Sequence, residues 1–485
     1  MILRALYDYY KRSDGVLPAF GRELKEIGFL IVVNLEGDFL RFEDRRVNKN
    51  SAQQFLVKKH VGRSSAPVAN YLYDNSSYVF GYSDKGNADK YLDVFKAKVT
   101  EIFNAAPDRD DIKAVYSFYQ KDTNDVLAKM KEDPLWSEVA KNLNKKYSNF
   151  SFLIEGDTRI VAEKEELLNL MGEDKSDSER ICLVSGERGV PVETTTATMI
   201  QGSQATAKLV AFQVNSGYDS YGKEKGGNAP ISEEAEFAYT TAMNHMLRSD
   251  SRNKFLIGNR TFLFWASKDD EAGRSAEESI FKMFGFADED DPNKGITQVR
   301  KTFSAIYSGH LQTSLDDRFY ILGLAPNSAR ISVSYWSELP LKEFAAVILR
   351  HFSDMEIVDS RKDKLPYMGL RSMLAAVTLG GKSSDAAPNL PDAVVKSIFQ
   401  GTPYPYALFA SCIRRIRAEQ GVGIVRAAII KAYLNRYDNT QVINIMLDKE
   451  NNNQGYLCGR LFAVLDKIQD EANNQHSIRE RYMNA

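Results

Sequence analysis

Near Pro340 the hydrophobic period of this chain changes, and the change limits the architectures open to it. Beyond that point "LKEFAAVILRHFSDM", "YMGLRSMLAAVTL", "PDAVVKSIFQ", "YALFASCIRRIRAEQ", "VGIVRAAIIKAYLNRY" and "CGRLFAVLDKIQDEAN" repeat apolar residues three and four apart, the spacing of one helix face. Short loops such as "QGTPYP" separate them, which predicts antiparallel neighbours in a helical bundle. Upstream the pattern is mixed.

The start "LRALYDYYKR" reads as a short helix. "FLIVVN" and "DFLRF" flank the turn signal "LEGD" and predict a hairpin over Phe29 to Phe42. "SYVFGY" is β-prone, and Tyr91, Leu92, Phe95, Val99 and Phe103 recur at helical spacing, with more helix from about Asp111 to Asn144. "SFLI", "ICLVSG", "AKLVAFQV" and "TFLFWA" read as strands around the helix "SEEAEFAYTTAMNHML", which Ser232 is placed to cap. "DRFYILGLAPNSARISVSYW" adds two strands around a Pro-Asn-Ser turn. The predicted fold is therefore α+β, a mixed N-terminal body with interrupted β-sheets followed by an α-helical bundle. Its regions are 1–150, 151–364 and 365–485, the last break falling at the charged "DSRKDKLP".

A net charge of −2 over 485 residues excludes a uniformly basic chain, yet residues 366–485 carry 14 Lys and Arg against 10 Asp and Glu, which favours a polyanionic partner for the tail. "MILRALYDYY" lacks a secretory pattern and no apolar run approaches the roughly 20 residues that span a bilayer, so a cytoplasmic protein is expected. Cys182, Cys412 and Cys458 are widely spaced, so they read as buried thiols. The five histidines form no His-Glu-x-x-His motif. No metal or cofactor is implied.

"DSYGKEKGGNAP", Asp219 to Pro230, resembles a phosphate loop, but no Ser or Thr succeeds the Gly222-Lys223 pair, which argues against nucleotide hydrolysis. It is either a solvent-exposed turn or a loop whose glycines allow a close backbone path while Lys223 and Lys225 meet phosphates; Asn228 contacts nucleic acid or closes the turn. Two further segments combine cations with amides. In "KKHVGRSSAPVANYLYDNSSYVFG", Lys58, Lys59 and Arg63 suit phosphates, and Asn70 and Asn75 suit base edges. In "IQGSQATAKLVAFQVNSG", Gln201, Ser203, Gln204, Gln213 and Asn215 are candidate readers or backbone clamps, with Gly202 allowing close approach. In the tail Arg414 and Arg417 share a helix face suited to a strand backbone, whereas Arg415 points elsewhere. A basic solvated surface is the plain alternative for each set.

"SYGKEKGGNAPISEEAEFAYTTAMNHML", "FYILGLAPNSARISVSYW" and "GTPYPYALFASCIRRIRAEQ", with "MILRALYDYY" and "YLYDNSSYVFG", closely resemble, in order over nearly the whole chain, the large subunit of the type I-C CRISPR surveillance complex, Cascade. The resemblance implies a non-catalytic DNA-binding subunit that recognises the protospacer-adjacent motif and promotes strand opening and R-loop formation. It also implies partners: double-stranded target DNA and its displaced strand, crRNA, repeated backbone subunits, a crRNA-processing subunit, small subunits like the helical tail, and a recruited nuclease-helicase. It further implies a longer carboxyl end than "IRERYMNA", and an internal start near Met368 or Met373, where ordinary core packing is the alternative. A structural assembly subunit or a metal-dependent nucleic-acid-processing enzyme are the competing functions.

Overall fold

The run "FLIVV" becomes the strand Phe29–Val33, with all five residues buried, because it lies at the centre of a four-stranded sheet. It pairs antiparallel with Phe39–Asp44 across the predicted "LEGD" turn and parallel with Phe150–Ile154, Phe29 opposite Phe150 and Val33 opposite Ile154. Tyr73–Asp74 completes the sheet on the far edge. Parallel partners require a long crossover. Here it includes the helices Asp89–Ala105, Asp110–Gln120, Thr123–Glu132 and Trp136–Lys141, of which Asp110–Gln120 packs on both central strands. Leu92, Phe95, Val99 and Ile102 form the buried face of the first, and Phe103 stacks on Tyr116 at 4.2 Å.

The computed structural model describes residues 2–13, 15–61, 66–83, 88–145, 147–169, 179–212, 219–284, 292–358, 369–438, 442–473 and 477–482. They form two compact units, Gly15–Ser178, and Met1–Asp14 together with Glu179–Ala485. The first holds the sheet just described. In the second, Lys254–Ile257, Arg260–Ala266, Arg318–Asn327 and Arg330–Pro340 form an antiparallel meander in sequence order. Phe262, Phe264, Phe319 and Ile321 from this sheet share one core with Phe344 and Ile348 of the helix Leu341–Met355 and with Leu374, Val394, Ile398 and Phe399 beyond it. Phe319 stacks on Phe344 at 4.3 Å. The sequence division at 364/365 falls within 359–368, outside the described residues. The whole is a mixed β-sheet region followed by an α-helical bundle.

Inside the bundle, Arg436 is 5% exposed and pairs with Asp354 at 2.6 Å, donates to the carbonyls of Ser397 and Thr402, and lies over the Tyr404 ring at 4.3 Å. His351 meets the Tyr404 hydroxyl at 2.8 Å, and burial, then the Arg436 charge, push its pKa down to about 3, so its imidazole is neutral. It is a core histidine.

Three strand readings needed correction, the first being "ICLVSG", of which only Ile181 lies in a strand, Arg180–Ile181. "SYVFGY" is not a strand: Asn75 accepts from the Ser77 amide and starts the short helix Ser76–Val79. "AKLVAF" forms only an isolated bridge, Lys208 to Arg330, and Gln213 and Val214 lie outside the described residues.

In the first unit, Gly37 has φ +76°, and a Cβ there would sit 2.5 Å from the Phe118 amide nitrogen and 2.6 Å from the Ala114 carbonyl oxygen. Gly37→Ala is expected to destabilise this unit by more than about 2 kcal/mol, read as faster amide exchange in Phe29–Val33. Asp111 pairs with Arg109 at 2.7 Å and Lys164 at 2.9 Å; burial raises its pKa, but the two cations outweigh that and hold it at about 2. A carboxylate depressed below its unfolded value stabilises the fold above about pH 4 and loses that contribution as pH falls towards 2. Asp111→Asn should therefore cost about 2 kcal/mol near neutrality, and urea titrations at pH 7, 4 and 2 should show the deficit closing.

Candidate nucleic-acid interface

In the first unit the strand Gln54–Lys58 hands the chain to the first candidate segment. Lys58 places its ammonium 5.1 Å from the centre of the Tyr71 ring, and its carbonyl accepts from the Tyr73 hydroxyl. The Lys59 amide donates to the Gly21 carbonyl at 2.7 Å. His60 meets Glu23 at 2.9 Å. Arg63 lies outside the described residues.

Asn70 is 6% exposed, and its Oδ1 accepts from the Val61 amide at 3.0 Å while its own amide donates to Asp74. Asp74 in turn accepts from the Asn75 amide, and the Oδ1 of Asn75 caps the following helix. Each asparagine thus uses its carbonyl oxygen to hold the loop and keeps Nδ2 as a donor. Both line one polar cavity of about 300 Å³ with Lys25, His60, Val61, Asp74 and Asn149. Donors of this kind suit base acceptors.

The other candidates belong to the second unit. The Gln204 amide donates to the Ser328 carbonyl at 3.2 Å, and Ile331 donates to Lys208, so the 200–208 loop lies along the tip of the hairpin made by Arg318–Asn327 and Arg330–Pro340. Ser203 closes its turn on Ile200, and Gly202, at φ +80°, passes close to Pro326. Gln201 and Gln204 are exposed. Gln213 and Asn215 lie outside the described residues.

Lys223, Lys225 and Asn228 share one loop. Asn228 closes the turn, donating from Nδ2 to the Ser220 carbonyl at 2.9 Å. Lys225 pairs with Glu193, while Lys223 is exposed and its amide donates to Ser220 at 3.1 Å. Gly226 is buried against the Val192 carbonyl, where a Cβ would approach to 2.6 Å, and Arg180 donates to the Gly227 carbonyl. Tyr221 has φ 59°, a left-handed conformation that costs a side-chain-bearing residue about 1 to 2 kcal/mol.

Cys182 is buried as expected, and it also carries a structural role. The buried Sγ accepts from the amides of Val184, Ser185 and Ser232 at 3.3 to 3.5 Å, and although burial raises the thiol pKa, hydrogen bonds from Ser185 and Ser232 bring it down to about 7. The sulfur ties the Arg180–Ile181/Arg188–Gly189 hairpin to the helix Glu233–Leu247, whose first turn Ser232 caps as predicted. Cys412 is buried too, but Cys458 is exposed, contrary to expectation.

On the helix Tyr406–Glu419, Arg414 and Arg417 are exposed, while Arg415 pairs with Glu419. Glu419 also pairs with Arg426, whose Nε donates to the Ala376 carbonyl. Among the described residues no helix is long and apolar enough to cross a membrane, and no group of three or more His, Cys, Asp or Glu is placed to hold a metal.

Residues 6–485 match the family model of CRISPR-associated protein (Cas_Csd1), and the chain belongs to that family, the large subunits of type I-C Cascade. Members are non-catalytic subunits of a multisubunit complex. No curated protein matches the chain.

Because Asn75 is a helix cap, Asn75→Ala is expected to cost about 1 kcal/mol locally and Asn75→Ser much less. Hydrogen exchange at Ser77 to Val79 separates the two variants.

Proposed function

We propose that this chain recognises the protospacer-adjacent motif in duplex DNA and promotes the local strand opening that starts an R-loop. Family membership supplies the setting, and the observation that supports this role most directly is that Asn70 and Asn75 line one polar cavity. In this reading Asn70, Asn75, Gln201 and Gln204 contact base edges or clamp the backbone, while Asn228 holds the turn that carries Lys223. Lys58, Lys59, Arg63, Lys223, Lys225, Arg414 and Arg417 neutralise phosphates. Base contacts select the motif, and guide pairing then supplies most of the sequence specificity. The exchange of a DNA duplex for an RNA–DNA heteroduplex is nearly balanced, so a few protein contacts suffice to bias its start.

The partners in this reading are target duplex and displaced strand, crRNA, repeated backbone subunits, a crRNA-processing subunit, small subunits resembling residues 365–485, and a recruited nuclease-helicase, all in the cytoplasm. Leu457, Leu461, Val464 and Ile468 form an exposed stripe at heptad-like spacing on the helix Gln454–Asn473, which supports helix packing between the tail and a neighbouring subunit.

The test uses the assembled complex. Asn75→Ser keeps a cap but removes the amide, so it should reduce discrimination between correct and incorrect motifs by about 1 to 3 kcal/mol. Lys59→Ala and Lys223→Ala should instead weaken binding to all duplexes and lower the salt slope by about one each. Unchanged affinity, discrimination and salt slope in all three variants would overturn the proposal.

A further inference from the structure

The turn Ser220 to Lys223 is closed by the Lys223 amide on the Ser220 carbonyl, and both of its central residues have positive φ, 59° at Tyr221 and 68° at Gly222. Turns of that kind favour Gly, Asn or Asp at their centre. A tyrosine is a poor choice for the backbone there, and its ring brings no compensating burial, since Tyr221 is 94% exposed. Beneath it the loop is held firmly. Asn228 and Arg180 bond to its carbonyls, Ala229 donates to Gly226, and Gly226 packs against Val192 and Phe212. An aromatic ring that folding does not use is thus presented to solvent on a fixed base, in the same turn as the exposed Lys223.

We propose that Tyr221 is a stacking platform for an unpaired nucleobase of a single DNA strand. This rests on the DNA-binding role above and adds to it a contact that no base-edge or phosphate group provides. A π-face accepts any base, so the contact is indifferent to sequence, and Lys223 supplies a charge for the adjoining phosphate. Because the turn is already fixed, little freedom is lost when the base stacks. The ring therefore favours opened DNA over intact duplex.

The experiment uses the assembled complex and DNA carrying a pre-opened bubble, with 2-aminopurine scanned through the unpaired strand. Tyr221→Gly suits the left-handed turn better than tyrosine and should leave folding and assembly intact. It should nevertheless weaken bubble binding by about 5- to 100-fold and abolish the 2-aminopurine quench at one position. Tyr221→Trp and Tyr221→Phe should retain both signals. Wild-type binding and quench in Tyr221→Gly overturns the proposal. So does loss of both signals in Tyr221→Phe, which would assign the contact to the hydroxyl, or failed assembly of Tyr221→Gly, which would assign the ring to a protein neighbour. Lys59→Ala and Asn75→Ser run alongside separate this outcome from failure of the DNA-binding role. If they weaken duplex binding or discrimination and Tyr221→Gly does nothing, only stacking falls.

Discussion

Backbone amides that leave regular structure must still find acceptors when they are buried, and the candidate interface of the second unit is organised by that requirement. Between Glu179 and Ser232 the described strands are only two residues long, so side chains take over the pairing. Cys182 accepts three amides, Glu236 accepts the Thr196 amide at 2.5 Å from a position 3% exposed, and Ser203 and Asn228 close turns. The Cys182 and Glu236 bonds tie loop residues to the helix Glu233–Leu247 and its cap, and the Ser203 and Asn228 bonds close their own turns. The exposed side chains carried by those loops inherit the rigidity.

The same reasoning separates cations available to a polyanion from those committed to the fold. Arg436 is buried with Asp354 and two carbonyls, so withdrawing it would leave buried groups unmatched, and Arg426 is held by the exposed Glu419 and the Ala376 carbonyl. Lys225 and Glu193 form a partly exposed pair, the kind worth no more than about 1 kcal/mol, which a phosphate can displace. Lys223, Arg414 and Arg417 are exposed. The modest positive excess of the tail thus overstates how many of its charges face outward.

The helices were legible because their apolar spacing matches a single buried face, as in Leu92, Phe95 and Val99 or in Phe344, Ile348 and Phe352. "TFLFWA" was legible as a strand because a central strand buries nearly every residue. "SYVFGY" misled because β-branched and aromatic residues were weighed without the Asn75 cap, a local bond that decides for helix. "AKLVAF" misled because strand propensity requires a ladder, and that segment meets its neighbour only at Lys208. Candidate amides were recognisable by type. Their orientation was not, since the commitment of the Asn70 and Asn75 oxygens to the loop depends on the Val61 and Ser77 amides reaching them.

Backbone strain gives a further ordering of these segments. Among the described residues Leu72, Tyr221, Lys225, Ser328 and Gln420 are the non-glycine positions with positive φ. Leu72 lies between Asn70 and Asn75, Tyr221 and Lys225 flank Lys223, Ser328 accepts the Gln204 amide, and Gln420 ends the helix that carries Arg414 and Arg417. Strain that persists must be over-determined by its surroundings. At Leu72 complete burial does this, and at Gln420 the left-handed residue is an ordinary helix terminus. At Lys225 the Glu193 pair and the buried Gly226 fix the path. Ser328 sits in the tight turn between Asn327 and Arg330, an ordinary place for a left-handed residue with a small polar side chain. At Tyr221 the backbone is held by its neighbours while a large aromatic side chain is left 94% exposed, which is why that ring calls for an explanation outside the fold.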